Sequence, residues 1–285
     1  MNTQANCRTT VLIVNYNSGD ELVRTVGTVL NRVSPVELII VDNASVDDSL
    51  EQVSAQYGGD IHIIRNHENI GFGPACNQGV QFCDTEFVLI LNSDCELAEG
   101  AIRRCEAVMD ENPRAGLVSG VVVGADGAEQ RGSRRRLPTP ARVMAEMLKQ
   151  RENGIDLRHL PMPTEAQEVE AVSGACMFIR RSAFLSVSGF DTGYTFHFED
   201  LDLMRRLHDE TWKIILIPEL RIRHIGGLSS RTRPLWVSRQ KHRGLLRYLH
   251  KHCPQNPLGI SAVYLLTWLH FLLISPLLLL GLRRP

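Results

Sequence analysis

The first 120 residues alternate short apolar runs with amphipathic stretches in a regular beat. Residues 10–16 (TVLIVNY), 36–43 (VELIIVDN), 61–66 (IHIIRN), 86–92 (EFVLILN) and 116–123 (GLVSGVVV) each read as a strand. Between them, residues 20–30, 46–57, 75–82 and 98–109 read as helices, with apolar positions at helical spacing. Apolar side chains fill the strands continuously instead of at every second position, which is the pattern of a parallel sheet covered by helices on both faces. The expected fold class is α/β, with a mostly parallel central sheet.

The beat breaks at residues 124–168, where Gly, Pro and the basic run Arg131-Gly132-Ser133-Arg134-Arg135-Arg136 predict a long loop or lid. Its arginines either hold an anion or face solvent. A second block follows, with a strand at 175–179, a short helix at 181–187, a turn at Gly189-Phe190-Asp191, a helix begun by Glu199 and Asp200, and strands at 213–218 and 220–225. The last segment is different in kind. Residues 258–282 carry no charge, and as a helix they would extend about 37 Å, enough to cross a bilayer. Residues 231–251 before them hold seven Lys/Arg, and Arg283 and Arg284 follow. Basic flanks favour the anionic cytoplasmic leaflet. Because both flanks are basic and Pro276 would kink the helix, lodging in the membrane plane competes with a span, and packing on the core or at a homodimer interface is the third option. Residues 1–230 are expected to form the α/β domain and residues 231–285 a basic, apolar tail.

Charge sharpens that division. The formal net charge of −1 conceals an asymmetry, since Glu219 is the last acidic residue. Residues 220–285 hold eleven Lys/Arg, while residues 1–219 carry a net −12. The basic segment has few interleaved aromatics, Trp236 and Tyr248, and runs straight into the apolar stretch, so nucleic acid is not its expected partner. Seven cysteines, an odd number without a C-x-x-C pair or zinc-ligand spacing, suit a reducing compartment, with the thiols as small buried hydrophobes. MNTQANCRTT does not read as a secretory signal. The expected location is cytoplasmic, at the inner face of the cytoplasmic membrane.

Ligands of open α/β sheets lie at the carboxyl ends of the strands, and polar residues collect there: Asn15-Tyr16-Asn17, Asp42-Asn43-Ala44-Ser45 and Asn92-Ser93-Asp94. The G-x-G-x-x-G of a dehydrogenase, a Walker lysine motif and the Gly-rich basic loop of a nucleotidyltransferase are all missing. What remains is a nucleotide diphosphate held through a hard cation, Mg²⁺ or Mn²⁺, at a strand-end carboxylate, Asp94. Acidic Asp94 and Glu96 would equally suit a helix N-terminus, where the macrodipole favours negative charge.

Eight motifs in sequence carry a resemblance. They are Val14-Asn15-Tyr16-Asn17, Val41-Asp42-Asn43-Ala44-Ser45-Val46-Asp47, the stretch from Asn66 to Gly79 with Asn69, Gly71 and Asn77, and Leu91-Asn92-Ser93-Asp94, then Ser173-Gly174-Ala175, Gly189-Phe190-Asp191, Phe198-Glu199-Asp200-Leu201-Asp202-Leu203 and His224-Ile225-Gly226-Gly227. Together they resemble family 2 glycosyltransferases of the GT-A fold, in particular their rhamnosyltransferase-like branch, over residues 10–230. The resemblance implies a nucleotide-sugar donor, a lipid-linked glycan or polyprenyl-diphosphate acceptor, and a single displacement with inversion. It implies that Asp42 accepts a hydrogen bond from the pyrimidine ring, with Asn15 and Asn17 lining the pocket and Asn69, Gly71 and Asn77 under the nucleotide. Asn92-x-Asp94 occupies the place of the family's D-x-D, with Asn in the first position. Asp94 would bind the metal, His224 would supply a second contact, and Asp200 beside Glu199 would be the base. Gly174, Asp191 and Asp202 would surround the donor or acceptor sugar. A UDP-sugar donor on the same fold, and a catalytically silent membrane scaffold, are the alternatives.

Overall fold

Every residue of strand β1 (Thr9–Asn15) is buried, and its side chains divide by parity between two cores. Val11 and Ile13 join one cluster, Leu12 and Val14 the other, as the two-residue period of a strand requires. A sheet buried on both faces follows, which is why its apolar runs are continuous. The computed structural model describes residues 7–32, 36–58, 61–225 and 234–279.

Parallel pairing joins β1 to β2 (Glu37–Asp42) and β4 (Phe87–Asn92), and β2 to β3 (Ile61–Arg65). Next to β4 lies β10 (Cys176–Arg180), antiparallel both to it and to β6 (Ala115–Val123). β11 (Lys213–His224) runs parallel to β6, with β5 (Cys95–Leu97) antiparallel along its outer edge and β8 (Gln167–Glu168) pairing at its start. Two short strands, β7 (Arg134–Arg135) and β9 (Ala171–Val172), form a separate ribbon. On one face lie α1 (Asp20–Arg32), α2 (Ser49–Tyr57) and α4 (Ala101–Glu111), which contribute Leu22, Val53 and Ile102. The other face is covered by α3 (Phe72–Val80), α5 (Pro140–Met147), α6 (Arg181–Ser186), α7 (Glu199–Asp209) and α8 (Pro234–His252). The expected mostly parallel α/β architecture is the one observed.

Local departures have local causes. The two strands expected at 213–218 and 220–225 are one, β11, whose register against β6 shifts between Ile217 and Arg221. Pro218 falls in that gap and has no N–H to give the ladder, so the strand bulges there instead of ending. Glu96 lies on β5, where its carboxylate meets Arg223 at 3.1 Å, and α4 starts only at Ala101. A helix N-terminus does not account for Glu96. The expected lid carries β7 and α5, whose start is set by Pro140 in the first turn and by Thr139, whose hydroxyl accepts from Arg142 N.

The expected tail divides in two. On α8, Tyr248 and Leu249 are fully buried and belong to the same core as Met204, Leu207 and Phe190. The last helix, α9 (Pro257–Leu279), is otherwise: it buries Val263 but leaves Leu265, Leu272 and Leu273 about two-thirds exposed. By length and composition α9 is apolar enough to cross a membrane.

Candidate active site

Parallel registry sets Asn15 beside Asp42, and Val14 beside Asn92, at one edge of the sheet. Asn15 is fully buried. Its Nδ2 donates to Asp42 Oδ1 at 2.8 Å and to the hydroxyls of Ser45 and Ser49 at 3.0 Å. Its Oδ1 is buried with no hydrogen-bond partner among the described residues. The other oxygen of Asp42 accepts from Ser45 N at 3.2 Å. Asn17, at φ +52°, accepts Val46 N on its Oδ1 at 2.8 Å and thereby fixes the loop that brings Ser45 to Asp42.

Beneath this corner, Asn43 donates to the Gly71 carbonyl at 3.2 Å, and Asn69 Oδ1 accepts Gly71 N at 2.9 Å. Gly71 has φ +92°, a conformation that a side chain would strain. Asn69 and Gly71 therefore shape the turn that starts α3. Asn77 has another employment. Its Nδ2 donates to the Phe190 carbonyl and its Oδ1 accepts Phe190 N, both at 2.8 Å. Both ends of the amide clamp the turn at 189–191.

At the far side of the edge, β5 pairs Cys95 with His224 at the end of β11. His224 Nε2 and Asp94 Oδ1 approach to 3.1 Å. His224 Nδ1 donates to Gln130 Oε1 at 2.9 Å, while Gln130 Nε2 donates to the His224 carbonyl at 2.6 Å. This two-point grip fixes the ring and leaves Nε2 toward Asp94, the outer-sphere arrangement common for a ligating imidazole. Cys95 Sγ lies within reach of the pair. Yet it is fully buried, donates to the Ala175 carbonyl at 3.4 Å, and has its thiol pushed well above the ordinary range by burial and then by Asp94. One carboxylate and one imidazole fit a Mg²⁺ or Mn²⁺ shared with phosphate oxygens; the thiol does not. Gly226 and Gly227 of the His224 motif lie outside the described residues.

Asn92 N donates to the Ala175 carbonyl at 2.9 Å, and one residue earlier stands Gly174. A Cβ on Gly174 would fall 2.8 Å from Asp200 Cβ and 2.9 Å from its Oδ2. The glycine thus lets Asp200 close on the strand end. The backbone there is held out of its ordinary wells: His197 and Phe198, just before α7, have φ +66° and +72°, a cost of about 1–3 kcal/mol each. Gly244 of α8 packs against this corner, since a Cβ there would lie 3.0 Å from the His197 carbonyl.

Asp200 pairs with Arg135 on β7 at 2.5 Å, both side chains about one-sixth exposed, and accepts Leu201 N at 2.8 Å. Burial by itself would raise its pKa, but the Arg135 charge and hydrogen bond outweigh it and hold the carboxyl below its usual range. Glu199 goes the other way: burial, then the Asp200 charge, pushes it up to about 8. His197, buried nearby, is pushed down to about 3, chiefly by burial. At neutral pH the corner therefore holds one ionised carboxylate, Asp200, between a neutral acid and a neutral imidazole.

Asp191 and Asp202, expected at the sugar, are engaged by α8. Asp191 accepts from Arg247 at 3.0 Å and Lys251 at 2.7 Å. Asp202 is fully buried and meets Arg206, Lys251 and His252, each at 2.8 Å, and the Tyr194 hydroxyl at 3.2 Å. Burial opposes its charge, but hydrogen bonds from His252 and Lys251 prevail and keep it far below the usual carboxylate range. Together they tie α8 to α7 and to the 189–191 turn. Arg134 and Arg136 are likewise spent, on Glu129 and on the carbonyls of Glu152 and Gly154. Sequence reasoning missed Gln130 and Gly244, which carry no local signal. The i, i+4 spacing of Arg247 and Lys251 was a signal for two cations on one helix face.

The chain resembles proteins of known activity. An N-acetylglucosaminyl-diphospho-decaprenol L-rhamnosyltransferase of Mycobacterium tuberculosis is 27% identical over 232 residues, 75% of each chain. Among solved structures, GalNAc-T7 with UDP, GalNAc and Mn²⁺ superposes with TM-score 0.63 at 18% identity over 87% of this chain, which spans about half of that one (48%). The Pyrobaculum calidifontis mannosyltransferase PcManGT, in complex with GDP-Man and Mn²⁺, gives 0.61 at 15% identity, covering 92% of this chain and 70% of that one. These likenesses show the GT-A fold. With residues 10–187 matching the profile of glycosyl transferase family 2, well over half its length, the chain belongs to that family of glycosyltransferases.

Proposed function

We propose that the protein transfers L-rhamnose from dTDP-rhamnose, with inversion, to a lipid-linked glycan or polyprenyl-diphosphate acceptor at the inner face of the cytoplasmic membrane, as a step of cell-surface polysaccharide synthesis. The observation that carries the reading is the succession along one sheet edge of Asn15 with Asp42, Asp94 with His224, and Asp200, in a chain 27% identical to a rhamnosyltransferase. Asp42, oriented by the Asn15 amide behind it, offers an acceptor to the imide N–H of thymine or uracil. Asp94 and His224 would hold Mg²⁺ or Mn²⁺, which when bound supplies positive charge to the diphosphate leaving group. Asp200 takes the proton of the acceptor hydroxyl as its oxygen bonds to the anomeric carbon and the bond to the nucleoside diphosphate breaks. Neutral Glu199 leaves Asp200 as the one anion of that corner, and Arg135 yields it when the acceptor enters. α9 rests in the membrane surface through its exposed leucines.

Melting of the full chain with dTDP, UDP or GDP, each with and without Mn²⁺, tests this. A ligand at a hundredfold excess over its Kd adds about 2.7 kcal/mol, several degrees for a chain of this size. The expected result is a metal-dependent rise, largest with dTDP and made metal-independent by Asp94→Ala. UDP above dTDP would change the donor; no rise with any pyrimidine diphosphate would contradict the reading.

A further inference from the structure

A cavity of about 840 Å³ opens between residues 131–159 and α9, within the size of small-ligand sites. Four cations line it, Arg131, Lys149, Arg151 and Arg158, against two acids, Glu146 and Asp156. Arg131 is engaged by Glu146 at 2.6 Å and Arg158 by Asp156 at 2.8 Å. Lys149 and Arg151 have no ion pair among the described residues, so the surplus positive charge is theirs. This is a polar site with anion chemistry and no role in the transfer step.

Its position gives it one. Arg131 lies four residues before Arg135, the partner of Asp200, a path of at most about 14 Å of extended chain. The opposite wall is α9, through His270, whose Nδ1 meets His242 Nε2 at 3.2 Å. On the same helix Leu269, Leu272 and Leu273 are about half to two-thirds exposed. The base is thus within a short reach of chain from the cations, and the cations face the helix that bears the exposed leucines, contacts that match the hydroxyl, diphosphate and hydrocarbon of a lipid-linked sugar. We infer that this cavity binds the diphosphate of the membrane-borne acceptor, with Lys149 and Arg151 as the recognising cations. The inference rests on the acceptor proposed above, and it names the site that such an acceptor would occupy. Arg131 and Arg158, already paired with Glu146 and Asp156, shape the pocket around the phosphates.

The test uses the full chain and phosphatidylcholine vesicles doped with a long-chain polyprenyl diphosphate, or with phosphatidylglycerol at equal surface charge. Co-sedimentation is expected to show tighter binding to the diphosphate vesicles. The double variant Lys149→Gln, Arg151→Gln should lose roughly 30-fold of that affinity, and Glu146→Gln, which frees Arg131, should gain affinity. The melting rise with dTDP or UDP serves as the folding control. Equal binding of the double variant, or no preference for diphosphate over phosphatidylglycerol in the wild type, overturns the inference. A nucleotide rise with no diphosphate preference sinks the cavity alone. Diphosphate preference lost in the double variant, with no nucleotide rise in either protein, sinks the donor reading and leaves the cavity standing.

Discussion

Gly174→Ala tests the site through its tightest contact. The new methyl would stand 2.8 Å from Asp200 Cβ and 2.9 Å from Oδ2, where ordinary contact starts at 3.4 Å. Asp200 must therefore retreat by roughly 0.6 Å, and the pair with Arg135 must re-form elsewhere. Its route is narrow, because Asp200 begins α7 directly after the left-handed His197 and Phe198 and α8 presses on that corner through Gly244. A misplacement approaching 1 Å costs about a hundredfold in rate, or about 2.7 kcal/mol of transition-state stabilisation. Gly174 has ordinary negative φ, so the substitution brings no backbone strain of its own. The assay is steady-state transfer with purified donor and acceptor, together with nucleotide-induced melting. kcat should fall about a hundredfold while the nucleotide rise stays within a degree of wild type, since Asn15 and Asp42 are untouched. Activity within threefold of wild type would refute the reasoning that Asp200 must abut the strand end. A lost nucleotide rise would refute the assignment of the effect to the base.

Asp42→Ala should weaken pyrimidine diphosphate binding by roughly 10- to 100-fold, the worth of a hydrogen bond to a charged group, as read by titration calorimetry; unchanged affinity would remove Asp42 from the nucleobase pocket. Asp202→Ala strands Arg206, Lys251 and His252 around a fully buried position, costing about 3–5 kcal/mol; the melting point should drop by roughly 10 °C while kcat at low temperature survives, and the reverse pattern would place Asp202 at the sugar. Glu199 keeps its proton in the fold up to about 8, whereas the unfolded chain releases it in the ordinary carboxylate range. Its contribution is therefore full at low pH and declines as pH rises to about 8. Between about pH 6.5 and 8, Glu199→Gln should lose less stability than wild type in chemical denaturation, and equal slopes would sink the claim of a neutral Glu199.

The parallel sheet was legible because its strands are buried on both faces and so read as unbroken apolar runs. The strand ends were legible too, since polar residues at the carboxyl edge of such a sheet have few other uses. Strand order was not: β10 enters antiparallel between β4 and β6, a choice settled by packing across many intervening residues. The same distance hid the working contacts, 65 residues from Arg135 to Asp200 and 94 from Gln130 to His224. α8 misled for a physical reason. Its cations and leucines suit a membrane surface equally well, but Tyr248 and Leu249 complete a core while Arg247 and Lys251 neutralise Asp191 and Asp202. Position in a motif carried Asp191, Asp202 and Asn77 into the site but gave no sign of the partners that hold them, α8 for the two aspartates and the Phe190 backbone for Asn77.

One reaction tests the proposed transfer most directly. Full-length protein, Mn²⁺, dTDP-rhamnose and a short-chain N-acetylglucosaminyl-diphospho-polyprenol in detergent should yield dTDP and a rhamnosylated lipid whose anomeric configuration, read by NMR, is opposite to the donor's, with Asp200→Asn silent. Retained configuration, or full activity in Asp200→Asn, would contradict it.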